Sequence, residues 1–195
     1  MLALRAFALL ILAFFLAPGA ASAQVTGGSV YVPPPPLPAG NLTVAGTKAK
    51  LLPDGTAAAP ASAPRAVQEA IWAANRLQDK PYKYGGGHAK IEDSGYDCSG
   101  TVSYALHHAG LLKSPLPSGP FMRWGAKGPG QWITVYAHNG HAYAIIAGLR
   151  LDTSVGSYAS RANRKIARSA FERGPRWRPM PRSARGFAKR HPVGL

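Results

Sequence analysis

Three things are scarce in this sequence: cysteine, acidic side chains and long apolar runs. The 195 residues include one cysteine, Cys98, so no disulfide can form within a single chain. Eight acidic residues stand against 23 Lys and Arg, which gives a formal net charge of +15 and makes anions the expected partners. No segment reaches the roughly 20 consecutive apolar residues of a membrane-spanning helix. The sequence also has no internal repeat.

The N-terminus has the three-part pattern of an export signal. Arg5 supplies a positive charge, residues 6–16 are apolar, and Ala21-Ser22-Ala23 is a small-residue cleavage site. We therefore predict a signal peptide over 1–23 and an exported protein located in the periplasm, cell wall or extracellular space. An uncleaved N-terminal anchor is the alternative. A thiol left unpaired after export indicates either pairing between chains or a reactive site.

Composition divides the rest of the chain. Residues 24–64 are rich in Ala and Pro, with four consecutive prolines that favour polyproline II, and we predict a linker there. Residues 65–195 are predicted to form one domain. Its last part, 155–195, carries eleven Lys and Arg against one acid, Glu172, and is called the basic C-terminal extension below. Its charge predicts attraction to anionic polymers.

Hydrophobic spacing predicts helices followed by an antiparallel meander, which is an α+β arrangement. The first helix begins near Pro64 and ends at Asp79, and a second runs from Cys98 to about Gly110. Residues 114–130 contain four Pro and four Gly and are predicted to form a long irregular loop. Three strands follow, over 132–136, 142–147 and 149–153.

Cys98 lies where a nucleophilic thiol is expected. It follows a Gly-rich turn and opens the second predicted helix, with Asp97 as a suitable N-cap. The partial positive charge and free N–H groups of a helix N-terminus favour the thiolate, which is the reactive form, and can hold an oxyanion. Asp97 is assigned to substrate binding or capping, and Ser99 and Gly100 leave the backbone open to a substrate carbonyl. A buried structural cysteine is the alternative interpretation.

Six histidines compete as the base that would activate this thiol. His107 and His108 lie late in the same predicted helix and cannot fold back to the cysteine. His191 belongs to the basic C-terminal extension. His88, in the Gly-rich turn, and His138, in a loop, are interpreted as possible substrate contacts.

The sixth histidine, His141, begins a predicted strand and is the best candidate for the base. A catalytic imidazole needs an acceptor on its second ring nitrogen. A tight turn at Gly148 joins two antiparallel strands, so residues near 152 lie opposite His141. Asp152 is the carboxylate of this strand region and is predicted as the third residue, with Asn139 and Thr153 as alternatives.

Three short motifs together resemble the NlpC-type cell-wall cysteine peptidases. They are Pro81-Tyr82-x-Tyr84-Gly85-Gly86, Tyr96-Asp97-Cys98-Ser99-Gly100, and Gly140-His141 leading a strand. The resemblance covers about residues 66–154. It implies a reduced papain-like fold, in which the helix that starts at the nucleophile packs on an antiparallel sheet. It also implies Cys98 as nucleophile, His141 as base, a polar third residue on the next strand, and Tyr82 lining the active site, with Asp97 holding a substrate amine.

From these residues and this resemblance we expect an exported cysteine endopeptidase that hydrolyses peptidoglycan stem peptides, with no cofactor and no metal. The basic C-terminal extension would retain it on anionic cell-wall polymers. The alternative is a non-catalytic module that binds the wall or another anionic polymer, with a vestigial site and with Trp177, between two arginines, as a stacking surface. We expect no specific binding of nucleic acid, because basicity alone gives non-specific affinity, and no membrane span after signal cleavage.

Overall fold

The computed structural model describes residues 42–154, 174–178 and 183–195. The predicted signal peptide, the first part of the predicted linker and most of the basic C-terminal extension lie outside the described residues. Among the described residues, no helix has the length and apolar character needed to cross a membrane.

A small three-stranded sheet occupies the second half of the range predicted as a linker. Its strands are β1 (Thr43–Val44), β2 (Lys50–Leu51) and β3 (Ala57–Pro60), with β3 in the centre, parallel to β1 and antiparallel to β2. The alanines of β3 are buried, and the Asn75 side chain bonds both the N–H and the carbonyl of Ala57 at 2.8 Å. The linker prediction is therefore corrected from residue 42 onward. Small side chains make a poor amphipathic pattern but allow a strand to approach a helix closely.

Helix α1 (Arg65–Asn75) begins directly after Pro64, as predicted, and ends four residues before Asp79. Its apolar residues recur at helical spacing and fall on one buried face, listed here as Val67, Ala70, Ile71 and Ala74. The face packs against β3 on one side and the second helix on the other.

Helix α2 (Cys98–His108) is the central helix of the fold, and residues 98–106 are all buried. Its apolar side chains join the main core, while Tyr104 packs edge-on against Tyr96 at 5.3 Å between ring centroids. The helix ends where Gly110 adopts a left-handed φ of 71°, and the N–H of Leu111 returns to the carbonyl of Leu106 at 2.9 Å. The predicted start and end are both observed.

The main sheet contains six strands among the described residues, and every pairing in it is antiparallel. The strands are β4 (Ala126–Lys127), β5 (Ile133–His138), β6 (His141–Ile146), β7 (Leu149–Asp152), β8 (Arg176–Arg178) and β9 (Ala188–His191). Their order is β4-β9-β5-β6-β7-β8. With α1 and α2 packed on this sheet, the α+β prediction and the β5–β6–β7 meander are confirmed.

Two turns fix the register of the meander. Asn139-Gly140 joins β5 to β6, and Ala147-Gly148 joins β6 to β7 with φ values of 45° and 89°. Consecutive positive φ angles match the twist of a two-residue hairpin, and Gly148 meets that requirement without steric cost. Ala147 tolerates it because its N–H bonds Trp132 and its carbonyl accepts from Ala49, at 2.7 and 2.8 Å.

Two further predictions need correction. The loop predicted over 114–130 contains a short helix, α3 (Ser118–Phe121), and strand β4. The basic C-terminal extension supplies β8 and β9, so its described parts belong to the domain predicted over 65–195, and the correction concerns Trp177 as a stacking surface. Trp177 is buried on β8 and donates its indole N–H to Asn75 at 2.8 Å, so its ring offers no free stacking surface.

Candidate active site

Cys98 is the first residue of α2, and it is almost completely buried. The carboxylate of Asp97 caps the helix by accepting the N–H of Gly100 at 2.7 Å, and the Asp97 carbonyl accepts the N–H of Thr101 at 3.0 Å. The backbone N–H groups of Cys98 and Ser99 find no acceptor within the described part of the chain. They remain available at the positive end of the helix dipole, beside the thiol.

His141 and Asp152 lie on neighbouring strands of the meander. His141 is the first residue of β6, and Asp152 is the last residue of β7, one position past the paired Ala144 and Leu151. The Nε2 atom of His141 lies 2.9 Å from Oδ1 of Asp152. The hairpin geometry that favoured Asp152 in the sequence therefore brings the two side chains into contact. Asn139 is exposed in the preceding turn, and Thr153 is buried beside Asp152.

The His141 ring also contacts the thiol. Burial acts to lower the pKa of His141, but hydrogen bonds to Asp152 and to Cys98, with the negative charge of both groups, raise it to about 9. Since Nε2 is engaged by the carboxylate, Nδ1 is the ring nitrogen left for the sulfur. A raised imidazole pKa means that the ring carries a proton at neutral pH and can stabilise a thiolate as an ion pair.

Asp152 is held in place by more groups than the sequence revealed. Burial acts to raise its pKa, but the bonds from His141 and Ser154 lower it, so the carboxylate stays ionised. Ser154 donates its N–H to Oδ1 at 2.9 Å and its hydroxyl to Oδ2 at 2.7 Å, and Arg150 Nε lies 3.5 Å from Oδ2. Ser154 stands two residues after the aspartate, the spacing of an Asx turn, and that pattern was the available signal. No sequence pattern indicated Arg150, because its position beside Asp152 depends on the strand pairing.

Three residues predicted to bind substrate form one network beside the thiol. Nε2 of His88 lies 3.0 and 3.2 Å from the two carboxylate oxygens of Asp97, and the Ser99 hydroxyl donates to Asp97 at 3.1 Å. The N–H of Gly85 also bonds this carboxylate, at 3.1 Å. Asp97 thus ties the Gly-rich turn to the start of α2. The other ring nitrogen of His88, Nδ1, is buried without a hydrogen-bond partner among the described residues.

Glycines allow this turn to lie against the helix. A Cβ on Gly100 would collide with the carbonyl oxygen of Gly86, and a Cβ on Gly87 would come within 2.6 Å of the Tyr96 ring. Tyr82, the remaining predicted substrate contact, forms a parallel β-bridge with Tyr96, two residues before the thiol. Tyr84, in the same turn, is 91% exposed.

The remaining histidines are engaged elsewhere. His107 and His108 end α2, about 15 Å along the helix from Cys98, where they contact Leu112 and Glu92. The other two are His138, which packs on Phe187 with ring centroids 4.4 Å apart, and His191, which contacts the carbonyl of Gly128. Within the described ranges, no group of three or more His, Cys, Asp or Glu is arranged to hold a metal ion.

No protein-family model and no curated protein matches the chain. Among solved structures, the chain is similar to the peptidoglycan hydrolase RipB from Mycobacterium tuberculosis, with 20% sequence identity and a TM-score of 0.46. The similarity covers 68% of this chain and 70% of the RipB chain.

Proposed function

We propose that this protein is an exported cysteine endopeptidase that hydrolyses a peptide bond in peptidoglycan stem peptides. One observation carries the proposal: a thiol at a helix N-terminus contacts an imidazole whose other nitrogen lies 2.9 Å from a buried carboxylate. A thiol, a base and a group that orients the base are the parts of a nucleophilic acyl-transfer site. A helix-borne thiol facing a strand-borne imidazole is also what a reduced papain-like fold requires.

In the first half of the reaction the Cys98 thiolate attacks the scissile carbonyl carbon, and the carbonyl oxygen takes up the negative charge. The free N–H groups of Cys98 and Ser99 are suited to bind this oxyanion. The C–N bond then breaks, and the protonated His141 gives its proton to the departing amine. The products of this half are a free amine and a thioester on Cys98.

In the second half, neutral His141 takes a proton from water, and the resulting hydroxide attacks the thioester. The thiolate leaves, the peptide is released as a carboxylate, and the ion pair with the imidazolium is restored. Asp152 keeps Nε2 protonated throughout, so that Nδ1 always faces the sulfur and the substrate. Ser154 and Arg150 fix the carboxylate and thereby the ring.

The assignment of peptidoglycan as the substrate depends on other observations. The motifs around Tyr82, Cys98 and His141 resemble those of cell-wall peptidases, and residues 1–23 have the pattern of an export signal. The net charge of +15 favours retention on the carboxylates and phosphates of a wall. Cleavage inside the stem peptide, and export as the route to it, are parts of this proposal.

The test is digestion of purified peptidoglycan, with the released fragments identified by mass spectrometry. The wild type should release peptides with new amino and carboxyl ends, and Cys98→Ala should release none while remaining folded by circular dichroism. His141→Ala should be equally inactive, because members of one catalytic unit do not act additively. His107→Ala, on the same helix but about 15 Å away, is the matched control and should be active.

A binding module without activity gives a different result. Its thiol would react with iodoacetamide near pH 6 as slowly as free cysteine does, whereas an imidazolium-paired thiolate reacts fast. Slow alkylation together with no released peptide would overturn the proposal. Fast alkylation that His141→Ala abolishes would support it even before the substrate is identified.

A further inference from the structure

A cavity lies outside the candidate active site, and the proposed mechanism does not use it. It has a volume of about 420 Å³, within the roughly 300–1,000 Å³ typical of small-molecule sites. Three separate segments build it. Its lining residues are Thr47, Lys48, Gly130, Gln131, Trp132 and Thr134, with the Ile145–Gly148 hairpin at the back.

The cavity shares a face of the main sheet with His141 but lies at the opposite end of it. Thr134 pairs with Ile145, while His138 pairs with His141, and alternation along the strands places all four on one face. Ile145 is four residues from His141, or about 13 Å along the strand. A ligand in this cavity would therefore not occupy the active site.

The lining combines one aromatic ring with several groups that bond hydroxyls and amides. Trp132 is partly exposed, and its indole N–H has no acceptor among the described residues. The buried Thr134 hydroxyl accepts from the N–H of Gly130 at 3.1 Å, so its own proton is left to donate into the cavity. Thr47 and Gln131 add exposed polar side chains at the rim.

One positive charge stands at the cavity and has no ion-pair partner in the described ranges. The Cγ and Cδ atoms of Lys48 lie within 4 Å of the position that a Cβ on Gly148 would occupy, and the ammonium group forms no salt bridge with the described residues. The N–H of Ala49 donates to the carbonyl of Ala147 in the hairpin, so the backbone next to Lys48 is held in place. A single lysine suits one carboxylate and is too little for a run of phosphates, which takes clustered cations.

We infer that this cavity binds one residue of an N-acetylated glycan strand that carries no stem peptide, with the sugar face on Trp132 and its free carboxylate on Lys48. The choice of glycan rests on the proposed function, since stem peptides are attached to such strands through this carboxyl group, which is a free carboxylate wherever the peptide is absent. Binding at this site would hold the strand about 13 Å from the His141 end of the sheet. The stacked rings of Tyr136 and Tyr143, with centroids 4.7 Å apart, lie between the two sites. The cavity is therefore a retention site separate from the candidate active site.

The experiment measures binding of the full chain carrying Cys98→Ala to peptide-free glycan strands, by isothermal titration. No hydrolysis is involved, so a failed activity assay and a failed binding assay are distinguishable. Trp132→Leu should weaken binding about eightfold, because a sugar would cover roughly 50 Å² of the indole ring and this apolar contact would be lost. Trp132→Phe, which keeps an aromatic face, should restore most of it. Lys48→Ala should weaken binding about two- to fivefold, and Lys50→Ala, an exposed lysine outside the cavity, should change nothing.

Comparison ligands decide the chemistry. A neutral chito-oligosaccharide lacks the carboxylate, so it should bind the Cys98→Ala chain about as weakly as the glycan binds the same chain with Lys48→Ala added. Polyglutamate lacks the sugar, so Trp132→Leu should not change its binding. The inference is overturned if glycan strands do not bind, if Lys50→Ala weakens binding as much as Lys48→Ala, or if polyglutamate competes for the site in a Trp132-dependent way. Melting temperatures of the Trp132 variants show whether a loss of binding is a loss of fold.

Discussion

Replacing Asp152 with Asn tests the central pair of the site most directly. The change keeps the shape of the side chain and an oxygen for the His141 N–H, but it removes a buried negative charge. Asp152 is 1% exposed, so water screens the pair little. The pKa of His141 should fall, and with it the pH range over which the imidazolium–thiolate pair exists.

The magnitude follows from the pKa of the ring. His141 has a pKa of about 9 against an ordinary value of 6.5, a difference that corresponds to about 3 kcal/mol. Because the pKa is raised on folding, this contribution is complete below about pH 6.5 and is lost as the pH rises through about 9. Asp152 and Cys98 both raise the value, so loss of the carboxylate should lower it by about 1–2 pH units.

Two measurements check this. The kcat/KM for a soluble stem peptide should fall on the alkaline side near pH 9 in the wild type, and 1–2 units lower in Asp152→Asn. The free energy of unfolding at pH 7 should fall by about 2–4 kcal/mol in the variant, because Ser154 and Arg150 lose their charged partner as well. Asp79→Asn, an exposed change of the same chemistry, should leave both quantities at wild-type values. The reasoning is refuted if the alkaline limb of Asp152→Asn coincides with that of the wild type, or if Asn139 or Thr153 variants move it instead.

Three further results are expected. Gly100→Ala should lower the free energy of unfolding by about 1–3 kcal/mol and the activity at least tenfold, because the Cβ of the new alanine would collide with the Gly86 carbonyl. Gly119→Ala is the control: its Cβ would have no neighbour nearer than 3.4 Å, so its melting temperature should equal that of the wild type. A chain ending at Ser154 lacks β8 and β9 and should be insoluble or unfolded by circular dichroism, and a soluble, active truncation would show that neither strand is needed. The fraction of protein that sediments with purified wall should fall as sodium chloride rises from 0.05 to 0.5 M, because exposed charges are screened within about 8 Å at physiological ionic strength. Retention that does not depend on salt would argue against the basic C-terminal extension as a charge-based anchor.

The placement of the three candidate catalytic residues was more predictable than the edges of the fold, and the reason is physical. Helix α2 and the meander have strong periodicity and clear turn residues, so Cys98, His141 and Asp152 follow from local pattern and simple strand pairing. Strand β3 consists of small residues without amphipathic alternation, and its place depends on Asn75.

Two other features lie beyond sequence reasoning for a similar reason. Strands β8 and β9 are short and rich in Arg, Lys and His, with Trp177 as the buried residue of β8, so the pairing with neighbouring strands determines their conformation. The cavity at Trp132 is assembled from three segments separated by up to about a hundred residues, so no local pattern indicates it.

The position of β9 determines when the main sheet can form. This strand pairs with β5 on one side and β4 on the other, although 35 residues separate it from the end of the meander along the chain. A sheet whose interior strand is synthesised late cannot close while the chain is still emerging, and contacts of this sequence separation slow folding. His141 lies on the strand next to β5, so the imidazole gains its final surroundings only when residue 191 is in place. The candidate site is therefore expected to be completed only after the C-terminal strand has paired with β5.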